Sequence, residues 1–303
     1  MKVIATDDDE ARSTSATPDA AVTSILVATD GSPTAIDAVR WSANLASALG
    51  AELTVMTSFV PVESELPPHL VERRLAEVTE QLAEWSEPAR LPGLAVNAIV
   101  ERGDPRQTVP QVAERVDADL VVVGRVGSST GPGVLRLSSL PEHLAHHCDR
   151  PLAVIGGDVH PEIERIIVGA DGSENCLAAL RWTASTARDS ATTVIAAFVL
   201  HPADDPLGVS SPHRQEQRQR VLDQSTEVLA EAGVDVETRA LIATNPADGL
   251  LAEARREHAD LIVVGMRGLG GFTGLRVGRV AMRSLHLADR PVVLVPPPNA
   301  APV

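Results

Sequence analysis

The chain has 303 residues, is 44% hydrophobic and carries a formal net charge of −15. That apolar content is enough for two ordinary cores, while the acidic balance argues against a nucleic-acid-binding surface and against attachment to anionic membranes. Lys2 is the only lysine and arginine supplies every other basic side chain, which excludes a P-loop, Schiff-base or kinase-type lysine from the folded body.

Residues 1–21 are small, acidic and polar, lack the hydrophobic core of a signal peptide, and are expected to form a disordered acidic tail. No apolar run approaches the ~20 residues that span a bilayer, so cytoplasmic residence is the default. Ser24–Thr29 is a short apolar strand that ends at Asp30-Gly31-Ser32-Pro33. Pro33 suits the first turn of a helix capped by Ser32, and Gly50 suits its C-terminal cap. Leu53–Phe59 is the next strand. Val71, Leu75, Val78, Leu82 and Trp85 then recur at helical spacing. Leu94–Val100, Leu120–Val123 and Pro151–Ile155 read as strands, and Pro105–Val116 and Leu137–His147 as helices.

Gly156–Glu164 is a linker, after which the same course is run again. Strands are expected at Ile166–Ala170, Val194–Leu200, Val234–Ile242, Leu261–Val264 and Val292–Val295. Helices are expected near Cys176–Asp189, Gln215–Ala232, Pro246–Glu257 and Gly278–Leu287. Asp30-Gly31-Ser32 matches Asp171-Gly172-Ser173, Trp41 matches Trp182, Pro105 matches Pro246 and Gly124 matches Gly265, each pair 141 residues apart. A period this long is a domain duplication rather than a solenoid. The expected fold is therefore α/β: two repeated Rossmann-like domains, 22–156 and 163–296, each an open five-stranded parallel sheet with helices on both faces. Such sheets bind ligands beyond the strand carboxyl ends, where strand order reverses. Asp30 and Gly124, and likewise Asp171 and Gly265, end the strands that meet there.

The stretch Val263–Val295 carries the densest signal. An apolar run ends in Gly265, followed by Gly268, Gly270, Gly271, Gly274 and Gly278 before an amphipathic helix. Glycine at this density lets backbone approach a ligand and direct N–H groups at phosphate, and a helix N-terminus favours anions. With Asp-Gly-Ser, the Gly103-Asp104-Pro105 turn and the closing Pro-Val strand, the chain resembles a tandem universal stress protein. That family's nucleotide signature is Gly, two residues, Gly, nine residues, then Gly followed by Ser or Thr. The second copy has Gly265, Gly268 and Gly278 at this spacing, with Arg279 in the hydroxyl position. By the same count the first has Gly124 and Gly127, then Leu137 in place of the last glycine, followed by Ser138 and Ser139.

The resemblance implies an adenine nucleotide, ATP or else ADP or AMP, with any Mg²⁺ held mostly by phosphate oxygens. Asp30 and Asp171 would accept hydrogen bonds from the adenosine part. Gly169 would let backbone approach the nucleotide, Gly265–Gly271 would wrap the ribose and phosphates, and Gly278-Arg279 would close over the terminal phosphates. It also implies self-association through the terminal strands Pro151–Ile155 and Val292–Val295, and a protein partner whose identity is unknown.

His143, His146, His147 and Cys148 invite a metal reading, but histidines at a helix C-terminus complement its dipole, and no metal site is expected. Cys148 and Cys176 do not correspond under the repeat and are expected as buried thiols. Ser138 and Ser139 share a helix with the histidines but have no orienting carboxylate, so no catalytic residue is expected. The leading expectation is a nucleotide-responsive stress protein that is not an enzyme, any ATP hydrolysis being slow and incidental. The alternatives are a nucleotide-free interaction module, suggested by the two departures from the signature, and an ATP-hydrolysing enzyme.

Overall fold

A computed structural model describes residues 2–3, 21–60, 68–127, 137–187, 191–202, 212–268 and 276–297. Contacts divide the chain into two compact units, one holding Val22–Pro161 and the other Glu162–Val303.

In the first unit the strands are β1 (Lys2–Val3), β2 (Ser24–Ala28), β3 (Glu52–Phe59), β4 (Val96–Arg102), β5 (Leu120–Gly124) and β6 (Leu152–Ile155). The helices are α1 (Pro33–Leu49), α2 (Pro68–Trp85), α3 (Pro105–Arg115) and α4 (Ser139–His147). All pairings are parallel, in the order β1-β4-β3-β2-β5-β6. The chain thus moves outward from β2 through β3 to β4, then returns to the other side of β2 to lay down β5 and β6. Right-handed crossovers place α1 and α2 on one face of the sheet and α3 and α4 on the other. The packing agrees: α1 meets the short 3₁₀ turn after α2, and α3 meets α4. The direction reverses between β2 and β5, so the loops following these two strands leave a crevice at their carboxyl ends.

The second unit repeats the plan. Its strands are β7 (Arg165–Gly169), β8 (Thr193–Leu200), β9 (Val236–Ile242), β10 (Leu261–Gly265) and β11 (Val292–Val295). Its helices are α5 (Glu174–Ala187), α6 (Pro212–Glu231), α7 (Pro246–Arg256) and α8 (Arg279–Leu287). The parallel order is β11-β10-β7-β8-β9, with the reversal between β7 and β10. The duplication reaches fine detail. Asp119 accepts the Thr23 and Ser24 N–H groups at 2.8 and 3.0 Å, and Asp260 accepts those of Glu164 and Arg165 at 2.9 and 2.8 Å. Asp117 and His258, at matching positions, both adopt positive φ, 47° and 50°.

Several expectations shift. Lys2 and Val3, expected in a disordered tail, pair with Asn97 and Ala98 on β4; residues 4–20 lie outside the described residues. Gly50 does close α1 in the left-handed conformation, with φ 66°. Ser32 occupies the N-cap position of α1, but its side chain makes no cap hydrogen bond; its hydroxyl donates instead to the Val126 carbonyl at 3.1 Å. β4 lies two residues beyond the expected Leu94–Val100. α5 is described as far as Ala187, and the expected end at Asp189 lies outside the described residues. Among the described residues no helix is long and apolar enough to cross a membrane.

The cores lie where the alternation of apolar strands and amphipathic helices puts them. Ile25, Leu26 and Leu120 in one unit, and Ile166, Ile167 and Leu261 in the other, are fully buried. Ile242, at the end of β9, is 68% exposed. Ile167→Ala is therefore expected to lower the free energy of unfolding by about 2–5 kcal/mol, whereas Ile242→Ala changes it by less than about 0.5 kcal/mol. Urea denaturation of the two variants checks the contrast.

Candidate functional site

The crevice of each unit is built by the turn after its first long strand. Asp30 Oδ1 accepts the Ser32 N–H at 3.0 Å, and Asp171 Oδ1 accepts the Ser173 N–H at 2.9 Å. This side chain-to-backbone bond two residues on is the usual way aspartate fixes a turn. Gly31 and Gly172 follow with φ 75° and 78°, a left-handed conformation that glycine adopts without strain. Trp85 packs over Gly31, and Val221 over Gly172, leaving neither turn room for a side chain.

The second oxygen of each carboxylate faces the glycine turn across the crevice. A Cβ on Gly127 would stand 3.0 Å from Asp30 Oδ2, and one on Gly268 would collide with Asp171 Oδ2. Gly124 and Gly265, one strand end further back, approach the first turn of α1 and α5. A Cβ on Gly265 would lie 2.6 Å from the Asn175 carbonyl oxygen, and one on Gly124 would lie 2.7 Å from the Ala35 nitrogen. The geometry thus brings Asp30 together with Gly124 and Gly127, and Asp171 together with Gly265 and Gly268. Gly169 ends β7, and a Cβ placed there would touch Leu250 and Val264 at 3.4 and 3.3 Å, close to ordinary contact. Gly270 and Gly271 lie outside the described residues.

The far end of each crevice is the start of the next helix, where the structure corrects the spacing argument. Gly278 is the N-cap of α8 and donates its N–H to the Met266 carbonyl at 2.6 Å. In the first unit the N-cap of α4 is Ser138, which donates to the Arg125 carbonyl at 2.9 Å. Ser138, not Leu137, therefore holds the place of Gly278, and Ser139 holds that of Arg279. The segment between Gly127 and the N-cap is one residue longer in the first unit, which a fixed count along the sequence cannot reveal. The first crevice thus has serine for the last glycine and keeps the hydroxyl after it.

Neither helix start is capped by its N-cap side chain. Arg279 is exposed at the first position of α8, and no acidic residue lies in that turn. Among the described residues no carboxylate pairs with it, whereas Arg283, one turn on, is held by both oxygens of Asp248 at 2.7 and 2.9 Å.

Sequence reasoning passed over Thr34. Its hydroxyl donates to the Val126 carbonyl at 2.6 Å and accepts the Val126 N–H at 3.1 Å, tying α1 to the glycine turn. The only signal was its position four residues after Asp30, where the other repeat has Asn175. The His143 and His147 rings stack with centroids 4.0 Å apart instead of converging on a shared point. Burial, then the His147 and Arg106 charges, lower the pKa of His143. Among the described residues no three histidine, cysteine or acidic side chains are arranged to hold a metal ion.

Two repeats of parallel strands and helices, each with a carboxylate facing a glycine turn where its strand order reverses, define a duplicated α/β protein. A profile of the Universal stress protein family matches residues 22–156 and again 162–296. The chain belongs to that family. It is 30% identical over 289 residues to a universal stress protein of Mycobacterium tuberculosis strain H37Rv, covering 89% of this chain and 95% of the relative. A second relative, from Mycolicibacterium smegmatis, is 29% identical over 295 residues, covering 90% and 97%. Among solved structures, a universal stress protein from Archaeoglobus fulgidus superposes with a TM-score of 0.70 at 18% identity, covering 91% of this chain and 97% of that one. This last likeness is one of fold.

Cys148 and Cys176 are both buried, as expected, and neither forms a disulfide. Cys176 lies beneath the Asp171 turn, where burial pushes its thiol up from 9.0 to about 11, against the opposing pull of the Gly172 and Asp171 backbone N–H groups. The folded thiol therefore stays neutral while the unfolded one ionises. Its contribution to stability is complete below pH 9.0 and is lost as pH rises towards about 11. The urea midpoint is expected to fall across that window in the wild-type protein, and to fall less in Cys176→Ala.

Proposed function

We propose that the protein binds an adenine nucleotide, ATP in the first instance, and acts as a nucleotide-responsive regulator of a stress response rather than as a catalyst. The observation that carries this reading is the start of α8. A cation in the first turn opposes the helix dipole, which favours negative charge there. Arg279 nevertheless occupies that turn beside backbone N–H groups left without a side-chain cap. An anion placed between them would satisfy both. A guanidinium reaches phosphate with a charged, directional fork, a stronger donor than the hydroxyl usual at this position.

Asp171 and Gly268 would meet the nucleoside, and Gly278 and Arg279 the terminal phosphates. The first crevice offers Asp30, Gly127, Ser138 and Ser139 for the same parts. Bound ATP would bring Mg²⁺ on its phosphate oxygens, which suits an ion that keeps most of its waters. Nucleotide occupancy would order the turns around the crevice and so alter the surface offered to a partner.

Arg279→Ala is expected to weaken ATP binding by about one to two decades, the worth of a charged hydrogen bond of about 1.5–3 kcal/mol, while leaving adenosine binding nearly unchanged. Arg279→Ser should bind ATP at least as well as the alanine variant. Titration calorimetry with both ligands measures this. Tighter ATP binding by Arg279→Ala would mean that the arginine obstructs the pocket, and would overturn its role as a phosphate ligand.

A further inference from the structure

The two repeats differ in how the glycine turn is tied to the helix that follows the first long strand. In the first unit three hydrogen bonds make the tie. Thr34 both donates to the Val126 carbonyl, at 2.6 Å, and accepts the Val126 N–H, at 3.1 Å. Ser32 donates to the same carbonyl at 3.1 Å. In the second unit, among the described residues, Ser173 alone reaches the corresponding carbonyl, that of Arg267, at 3.4 Å, well beyond the usual O–H···O separation.

Residue 175 holds the place of Thr34 but is asparagine. It is 8% exposed, and among the described residues its Oδ1 is buried without a hydrogen-bond partner. Buried amide oxygens nearly always take a donor, because one left unpaired carries its full desolvation cost. The donor that matches by repeat is the backbone N–H of Arg267, the counterpart of the Val126 N–H that Thr34 accepts. Among the described residues that N–H makes no hydrogen bond.

We infer that Asn175 is a positioning residue of the second crevice, an open latch whose Oδ1 accepts the Arg267 N–H once a nucleotide draws the Met266–Gly268 turn against α5. The inference rests on the nucleotide reading for what closes the latch, but not for the latch itself. Ligand binding shifts such an equilibrium only through a differential interaction with the two states, and the new bond at Asn175 supplies one. The first unit, with threonine, is latched without ligand; the second latches on binding. The duplication would thus hold one pre-formed crevice and one responsive crevice in the same chain.

Residue exchange between the repeats tests this, read by amide hydrogen exchange on the full-length protein. In the ligand-free state, Asn175→Thr is expected to slow exchange at Arg267 by about fivefold, the worth of one net hydrogen bond. Thr34→Asn should speed exchange at Val126 by a similar factor. ATP should slow exchange at Arg267 in the wild type, and by about fivefold less in Asn175→Ala. Unchanged exchange at Arg267 in ligand-free Asn175→Thr, with a wild-type melting temperature, would overturn the latch. So would equal protection by ATP in the wild type and Asn175→Ala, with the nucleotide reading left standing. Slowed exchange in Asn175→Thr without any effect of ATP on the wild type would uphold the latch and overturn the nucleotide reading.

Discussion

In each repeat the carboxylate that ends the first long strand bears on a glycine of the turn after the neighbouring strand, Asp30 on Gly127 and Asp171 on Gly268. One oxygen fixes its own turn, and the other sets how near the opposite turn can come. That approach fixes the identity of the residues around it. A side chain on either glycine would meet the carboxylate, and one on Gly124 or Gly265 would meet the backbone at the start of α1 or α5. The crevice is thus lined by backbone at the one place where strand order reverses, and backbone N–H groups are what an anionic ligand needs. The apolar strands and the helix pairs serve to hold these two strand ends side by side.

On this shared frame the repeats have diverged at the helix starts that close the crevices and in their ties. The first has Ser138-Ser139 at its helix start and a turn secured by Thr34 and Ser32. The second has Gly278-Arg279 and a turn with one long bond to Ser173. Duplication permits this, because one copy can keep the closely tied version of a crevice while the other loses some of those contacts. Among the described residues, the Asn175 oxygen at the place of Thr34 is buried without a donor. An unmade bond of this kind persists only where the surrounding structure or a ligand compensates for it.

The fold was legible because its signals are periodic and duplicated. Short apolar strands alternating with amphipathic helices leave little choice but an open parallel sheet, and each element of one repeat checks its partner in the other. Asp30, Asp171 and the paired glycines were legible because turn chemistry restricts those positions to a few residue types. What escaped were facts of register and side-chain direction. Counting from Gly127 puts Leu137 at the last glycine's place; Arg150-Pro151 and Arg290-Pro291, 140 rather than 141 residues apart, show in the sequence that the register slips, and the N-cap hydrogen bond to Arg125 places the extra residue before Ser138. Ser32 reads as a helix cap, yet its hydroxyl is drawn across the crevice to Val126. Thr34 looks like an unremarkable helix residue until its partner, Val126, 92 residues away, is in view, and Asn175 until its buried, unpaired oxygen is.

The central claim is that the carboxylate-and-glycine crevice is a nucleotide site, and equilibrium dialysis of ATP with the purified protein tests it most directly. The comparison is between wild type and a Gly127→Asp, Gly268→Asp double variant, which sets a second carboxylate against Asp30 and Asp171. The account predicts saturable binding by the wild type and its loss in the double variant, with the helical content of the variant retained by circular dichroism. Undiminished ATP binding by the folded double variant, or no ATP binding by the wild type, would contradict it.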